Sequence, residues 1–234
     1  MSMNEKIYMQ TGVAMTCRSY AEYERMFALK PEHLSAGAIL DVASGASSFV
    51  AEACRMGYDA HAADPLYAMD TDEIIEQGRK EIDVSTAKLA GIQDVFDWTF
   101  YGSLERHRSL REASMHTFAG HMRESGVERY VSAKLPELPF NEHSFALVLC
   151  SHFLFLYQDQ FDEQFHLDAI RELIRVCRPG GQVRIYPLLS LQWVRYPQLE
   201  RLMQQLSQDG IRAELIASEL PFIPGSTELL CLTK

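Results

Sequence analysis

Asp41 and Asp64 bracket a run of small residues, Ala43-Ser44-Gly45-Ala46-Ser47-Ser48. Asp41 lies inside the apolar run "AILDVA" (38–43), and Asp64 closes "DAHAADP" (59–65). Small residues at such a turn let a ligand approach the backbone. An acid at the end of the following strand suits the two hydroxyls of a ribose. The G-x-G-x-x-G pattern of a dinucleotide site is absent, and only Gly45 stands in the turn. A pyrophosphate is normally held by a glycine-rich turn and a helix N-terminus. Asp41 disfavours phosphate and favours an ammonium or sulfonium cation. The pattern therefore points to a nucleoside ligand that carries positive charge.

These residues need elements to position them. "AILDVA" has the continuous apolar character of a strand buried on both faces. "SFVAEACRMG" follows as a helix closed by Gly57. Residues 14–30 are expected to form a helix that ends at Pro31. Further strands are expected at 129–133, 144–151, 182–189, 211–218 and 227–234. Helices are expected at 162–177, with Ala169, Ile170, Leu173, Ile174 and Cys177 on one stripe, and at 196–210. Pro179 and Gly180 in "RPGG" (178–181) stop the first of these. Residues 70–128 are rich in helix formers and are about twice as long as a simple crossover, so the excess reads as a helical insertion or cap. The alternation predicts an α/β fold with a doubly wound, mostly parallel, seven-stranded sheet. The last two strands have no helix between them and should form an antiparallel hairpin at one edge. One domain spans 1–234, with an N-terminal helical lid at about 1–34 and the cap at about 70–128.

At this point the sequence resembles the class I S-adenosylmethionine-dependent methyltransferases. Four segments carry the resemblance in order: "LDVASGASSF", "AADP", "LPELPFNEHSFALVLCSHFL" and "ELIRVCRPGGQVRIY". The resemblance implies a Rossmann-like methyltransferase fold and S-adenosylmethionine as cofactor, with S-adenosylhomocysteine as product and no metal. It implies a cofactor site at Asp41, Ala43, Ser44, Gly45, Ser48, Asp64, Pro65 and Ser151. Arg18 on the N-terminal segment is the candidate partner of the methionine carboxylate. Tyr20, Trp98, His152 and Tyr157 are candidates for the acceptor site, and His152 for a general base. The family's first motif usually reads acid-x-Gly-x-Gly-x-Gly, whereas here it is Asp41-x-Ala43-x-Gly45-x-Ser47. Ala133 and Lys134 occupy the region where the family often has an acid near adenine.

Composition narrows the classes. The chain has 234 residues and a formal net charge of −10, which disfavours nucleic acid held by general electrostatics. The acidic surface favours a small-molecule acceptor. A protein, peptide or RNA acceptor, and a cofactor-binding protein without catalysis, stand as alternatives; a nicotinamide enzyme is a distant third. The odd count of five cysteines, without a C-x-x-C pair, reads as reduced thiols in a cytoplasmic protein. Neither a signal peptide nor an apolar run long enough for a membrane span is expected. His107, His116 and His121 lack the acids or cysteines that metal-ligand spacing would require. Oligomeric state is not legible.

Overall fold

The computed structural model describes residues 12–234. Its strands, in chain order, are β1 (Ile39–Val42), β2 (Ala60–Ala63), β3 (Tyr130–Val131), β4 (Phe145–Ser151), β5 (Cys177–Tyr186), β6 (Arg212–Ala217) and β7 (Glu228–Thr233). They form one sheet in the order β3-β2-β1-β4-β5-β7-β6. The β1–β2, β1–β4, β2–β3 and β4–β5 pairings are parallel, while β7 runs antiparallel to both β5 and β6. The expected sheet and edge hairpin are thus present. The hairpin folds back so that its second strand, β7, lies against β5, leaving β6 at the edge.

Period-2 alternation along the strands divides the core. Ile39, Leu147 and Leu149 face one layer, made of α1 (Tyr20–Met26), α3 (Phe49–Arg55), α4 (Thr71–Ile92) and α5 (Leu104–Arg129). Leu40, Val42, Val148 and Cys150 face the other, made of α6 (Glu163–Val176) and α7 (Leu199–Gln208). A one-turn helix, α2 (Pro31–Leu34), leads into β1. The predicted α6 stripe is buried throughout. The helix ends one residue sooner than expected, because Cys177 already pairs with Phe145 as the first residue of β5. Gly180 takes φ +73°. A Cβ on Gly181 would lie 2.8 Å from the Ala146 carbonyl oxygen, so glycine is required there.

The N-terminal segment departs from expectation. The helix predicted over 14–30 is confined to Tyr20–Met26. Ser19 starts it as a capping box with Glu22. Before it, Met15 and Cys17 are buried while Thr16 and Arg18 are half-buried. That period of two belongs to an extended strap. The strap is pinned where the Ser48 amide and the Ser47 and Ser114 hydroxyls donate to the Arg18 carbonyl. The Ala14 amide donates to the Tyr157 hydroxyl at 2.8 Å. The part of the expected lid before residue 12 lies outside the described residues. Among the described residues no helix is long and apolar enough to cross a membrane.

Candidate active site

The turn after β1 and the end of β2 meet at the carboxyl edge of the sheet. Asp64 is 8% exposed, and its carboxylate accepts from the Gly45 amide and the Leu66 amide, both at 2.9 Å. The Tyr67 hydroxyl donates to the Gly45 carbonyl at 2.8 Å. Ala43 and Gly45 have φ of +55° and +59°. Ala43 therefore keeps the left-handed backbone that the family's usual glycine adopts freely. A Cβ on Gly45 would sit 3.2 Å from the Thr16 carbonyl oxygen, so the strap crosses directly over this glycine.

Asp41 is fully buried. Its Oδ2 accepts from the Ser44 hydroxyl at 2.5 Å, and its Oδ1 has no partner. Burial pushes its carboxyl up to about 7, against the Ser44 and Tyr23 hydroxyls, which favour the charged form. Burial also raises Asp64, against its two amide bonds. Burial is the leading cause for both acids, so a cation brought beside either would favour its charged form.

A cavity of about 350 Å3 opens on this edge. Its wall includes Ala43, Ser44, Gly45, Asp64, Pro65, Ser151 and Arg18 from the expected cofactor set, and Ala133 and Lys134 from the adenine region. Asp41 stands behind the wall, tied to it through Ser44. Ser48 does not reach the cavity. Its hydroxyl is turned to Glu52 at 2.5 Å and its amide to Arg18. Tyr23 and the strap residues Met15 and Thr16 complete the wall, and nothing in the motif pattern had marked them.

A second cavity, of about 110 Å3, adjoins the first. Both are lined by Ala14, Met15, Thr16, Arg18 and His152. His152 follows β4 at φ +51°, its amide donates to the Tyr186 carbonyl at 2.7 Å, and its Nδ1 lies 2.9 Å from the Ser151 hydroxyl. Burial, with Arg18 and Arg111 nearby, holds this imidazole well below the usual histidine range. The ring is therefore neutral at pH 7. Of the other acceptor-site candidates, Tyr157 lines the second cavity, but Trp98 and Tyr20 do not. The Trp98 indole N–H donates to the Gln93 carbonyl, and its ring packs on Phe222, His107 and Tyr101 from behind. Tyr20 stacks on Phe49 at 5.6 Å. Phe96, Trp193 and Phe222 supply the aromatic wall in their place.

Beneath the strap lies a buried ion pair absent from the motif reading. Arg111 Nη1 donates to both oxygens of Glu22 at 2.6 and 2.7 Å, and to the Cys17 carbonyl at 3.1 Å. The Tyr101 hydroxyl donates to the same carboxylate at 2.5 Å. Arg18 is the more distant cation, at 3.4 Å from Glu22, and its buried Nε has no partner. Burial pushes Glu22 upward, yet Arg111, Arg18, the Ser19 amide and Tyr101 outweigh it and hold the acid at about 2. His107 and Arg111 share the buried face of α5 with Ser114, Met115, Phe118 and Met122, but that face carries too many polar residues for the sequence to mark it as inward.

The chain is 31% identical over 218 residues to the uncharacterized protein MJ0045 of Methanocaldococcus jannaschii, across 93% of this chain and 94% of that one. A family model described as a methyltransferase domain matches residues 108–185, from α5 through β4 into β5. The chain belongs to the class I S-adenosylmethionine-dependent methyltransferases. The methyltransferase sheet is similar to that of a structure of PigF with S-adenosylhomocysteine, at TM-score 0.50 and 13% identity, covering 92% of this chain and 60% of that one. A TehB-like S-adenosylmethionine-dependent methyltransferase from Corynebacterium glutamicum gives TM-score 0.47 at 15% identity, covering 92% and 88%. The family's cofactor fits this methyltransferase on its own atoms. The orphaned Asp41 Oδ1 and Arg18 Nε are the two kinds of group that an ammonium and a carboxylate satisfy.

Proposed function

We propose that the chain holds S-adenosylmethionine in the larger cavity and transfers its methyl group to a small-molecule acceptor in the smaller one. The observation that carries this reading is the shared wall. Ala14, Met15, Thr16, Arg18 and His152 border both spaces, so the two reactants meet beside His152. Asp64 would take the ribose hydroxyls and Arg18 the methionine carboxylate. Asp41 would balance the ammonium, directly or through water. The bound cofactor supplies an electrophilic methyl on a sulfonium. The protein's part is proximity, orientation and exclusion of water, which the strap provides by lying over Gly45.

Asp64→Ala is expected to weaken S-adenosylmethionine binding about 10- to 150-fold, the loss of roughly 1.5–3 kcal/mol from a charge-assisted contact. Gly45→Val should be worse, since φ +59° and the Thr16 carbonyl at 3.2 Å both resist a branched side chain. Calorimetry reads both, and wild-type affinity in the two folded variants would place the cofactor elsewhere.

His152 is the group placed to take a proton from an acceptor hydroxyl, its neutral ring oriented by Ser151. His152→Ala should then slow turnover by about 10²-fold while S-adenosylhomocysteine still binds normally. Equal turnover would leave His152 with packing alone.

Ligands seated in the two cavities would lie against the strap and α4. Hydrogen exchange should show protection by S-adenosylhomocysteine over residues 12–19 and the part of α4 that lines the cavities, Gln77 to Leu89. Protection confined to 41–48 and 64–67 would make the strap a static decoration.

A further inference from the structure

The smaller cavity has chemistry of its own. Phe96 and Phe222 stack at 4.8 Å with planes 20° apart, and Trp193 meets Phe96 edge-on at 6.1 Å. His107, 4% exposed, lies flat against Phe222 at 5.5 Å and belongs to the same wall. Arg111 Nη2 sits 3.2 Å from His107 Nε2. A guanidinium only donates, so Nε2 is the acceptor and Nδ1 carries the ring proton. That Nδ1–H is buried and has no partner in the protein.

We infer that this cavity takes a single flat ring without negative charge, bearing one hydrogen-bond acceptor to which the His107 Nδ1–H donates. The inference rests on the proposed methyl transfer and gives the acceptor a chemical class. Size sets the single ring: about 110 Å3 is close to the ~150 Å3 apolar cavities that admit benzene. Flatness follows from the aromatic faces. The absence of negative charge follows from the ion pairing. Arg111 is already neutralised by Glu22 at 2.6 Å, Arg18 is given to the cofactor's carboxylate in the proposed function, and the Glu81 carboxylate shares the wall. An anion entering this apolar space would be desolvated without a counterion. His107 has no role in the cofactor cavity, so its unpartnered donor is left for the other reactant.

Four probes separate these properties: acetophenone, ethylbenzene, methyl cyclohexyl ketone and benzoate. Binding is read by ligand-observed NMR on the full chain, with and without S-adenosylhomocysteine. Acetophenone should bind about 5-fold tighter than ethylbenzene or the cyclohexyl ketone, and benzoate weakest. His107→Phe keeps the ring and removes the donor. It should bring acetophenone down to the ethylbenzene level and leave ethylbenzene unchanged. Ile223→Trp, at a half-buried wall position, should fill the cavity and abolish binding of every probe, with S-adenosylhomocysteine affinity intact. Benzoate binding as tightly as acetophenone, or probes indifferent to Ile223→Trp, would overturn the inference while cofactor binding still stood. Probe binding as expected in a chain that binds neither S-adenosylmethionine nor S-adenosylhomocysteine would instead remove the methyl-transfer reading.

Discussion

Arg111→Met will cost about 3–5 kcal/mol of stability at neutral pH, the usual result of leaving one member of a buried ion pair alone. In a chain of this size that lowers Tm by roughly 10 °C. Glu22 is fully buried, and Arg111 donates to both of its oxygens, at 2.6 and 2.7 Å. Arg18 at 3.4 Å is a weak substitute. The pH dependence identifies the cause. In the wild type Glu22 is held at about 2, below its ordinary 4.5, so its contribution is present above pH 4.5 and is lost as pH falls towards 2. Without Arg111, burial raises that acid, and the deficit should shrink as pH falls and Glu22 takes up a proton. Glu22→Gln combined with Arg111→Met should recover most of the loss. A deficit that is the same at pH 4 and pH 8, or a double variant no more stable than the single one, would show that Arg111 acts through packing rather than charge. Because Arg111 also holds the Cys17 carbonyl, the single variant should loosen the strap over both cavities.

Asp41→Asn should move stability and ligand affinity in opposite directions. The buried carboxyl titrates at about 7 against 3.8 for the free acid. Between those values the folded chain binds a proton that the unfolded chain does not, so stability falls as pH rises from 4 to 7 and the loss is complete above 7. That difference corresponds to about 4 kcal/mol. The neutral, isosteric variant escapes that loss and should melt roughly 10 °C higher at pH 8, with little difference near pH 4. It also loses the charge that would face the ammonium. Wild-type affinity for S-adenosylmethionine should rise between pH 6 and 8 as Asp41 ionises, whereas the variant should bind more weakly and with a flatter profile. Denaturation curves and calorimetry at pH 5 and pH 8 measure both halves. A variant that binds like wild type, or gains no stability at pH 8, would exclude an ionising Asp41 from the site. In the proposed site the raised acid would set function against stability.

The residues that carry the resemblance do meet at one edge of the sheet. Asp41 lies in β1, Gly45 in the turn after it, and Asp64 and Pro65 just beyond β2, because strand ends are written in local signals: an apolar run, a small residue, a proline. Helix α6 was equally legible from its period, and α4 and α5 from their content of helix formers. Ser48 was misplaced because the order of residues in a turn does not say which hydroxyl faces the ligand and which caps its own helix through Glu52.

What the sequence by itself determined about this protein is its alternation of strands and helices, and hence the sheet edge on which the proposed cofactor cavity opens. Tertiary structure alone decided the smaller cavity. The strap is extended because Met15 and Cys17 are buried alternately, which depends on α3, α5 and the Gly45 turn closing around it. Trp98 lies behind the wall while Phe96, Trp193 and Phe222, from distant parts of the chain, form it. His107 becomes an unpartnered donor only because Arg111, one turn away on the same helix, is held by Glu22 from the N-terminal helix. Local periodicity tells which side of an element turns inward. It carries no record of which distant side chain will be waiting there, since that is set by packing between elements far apart in sequence.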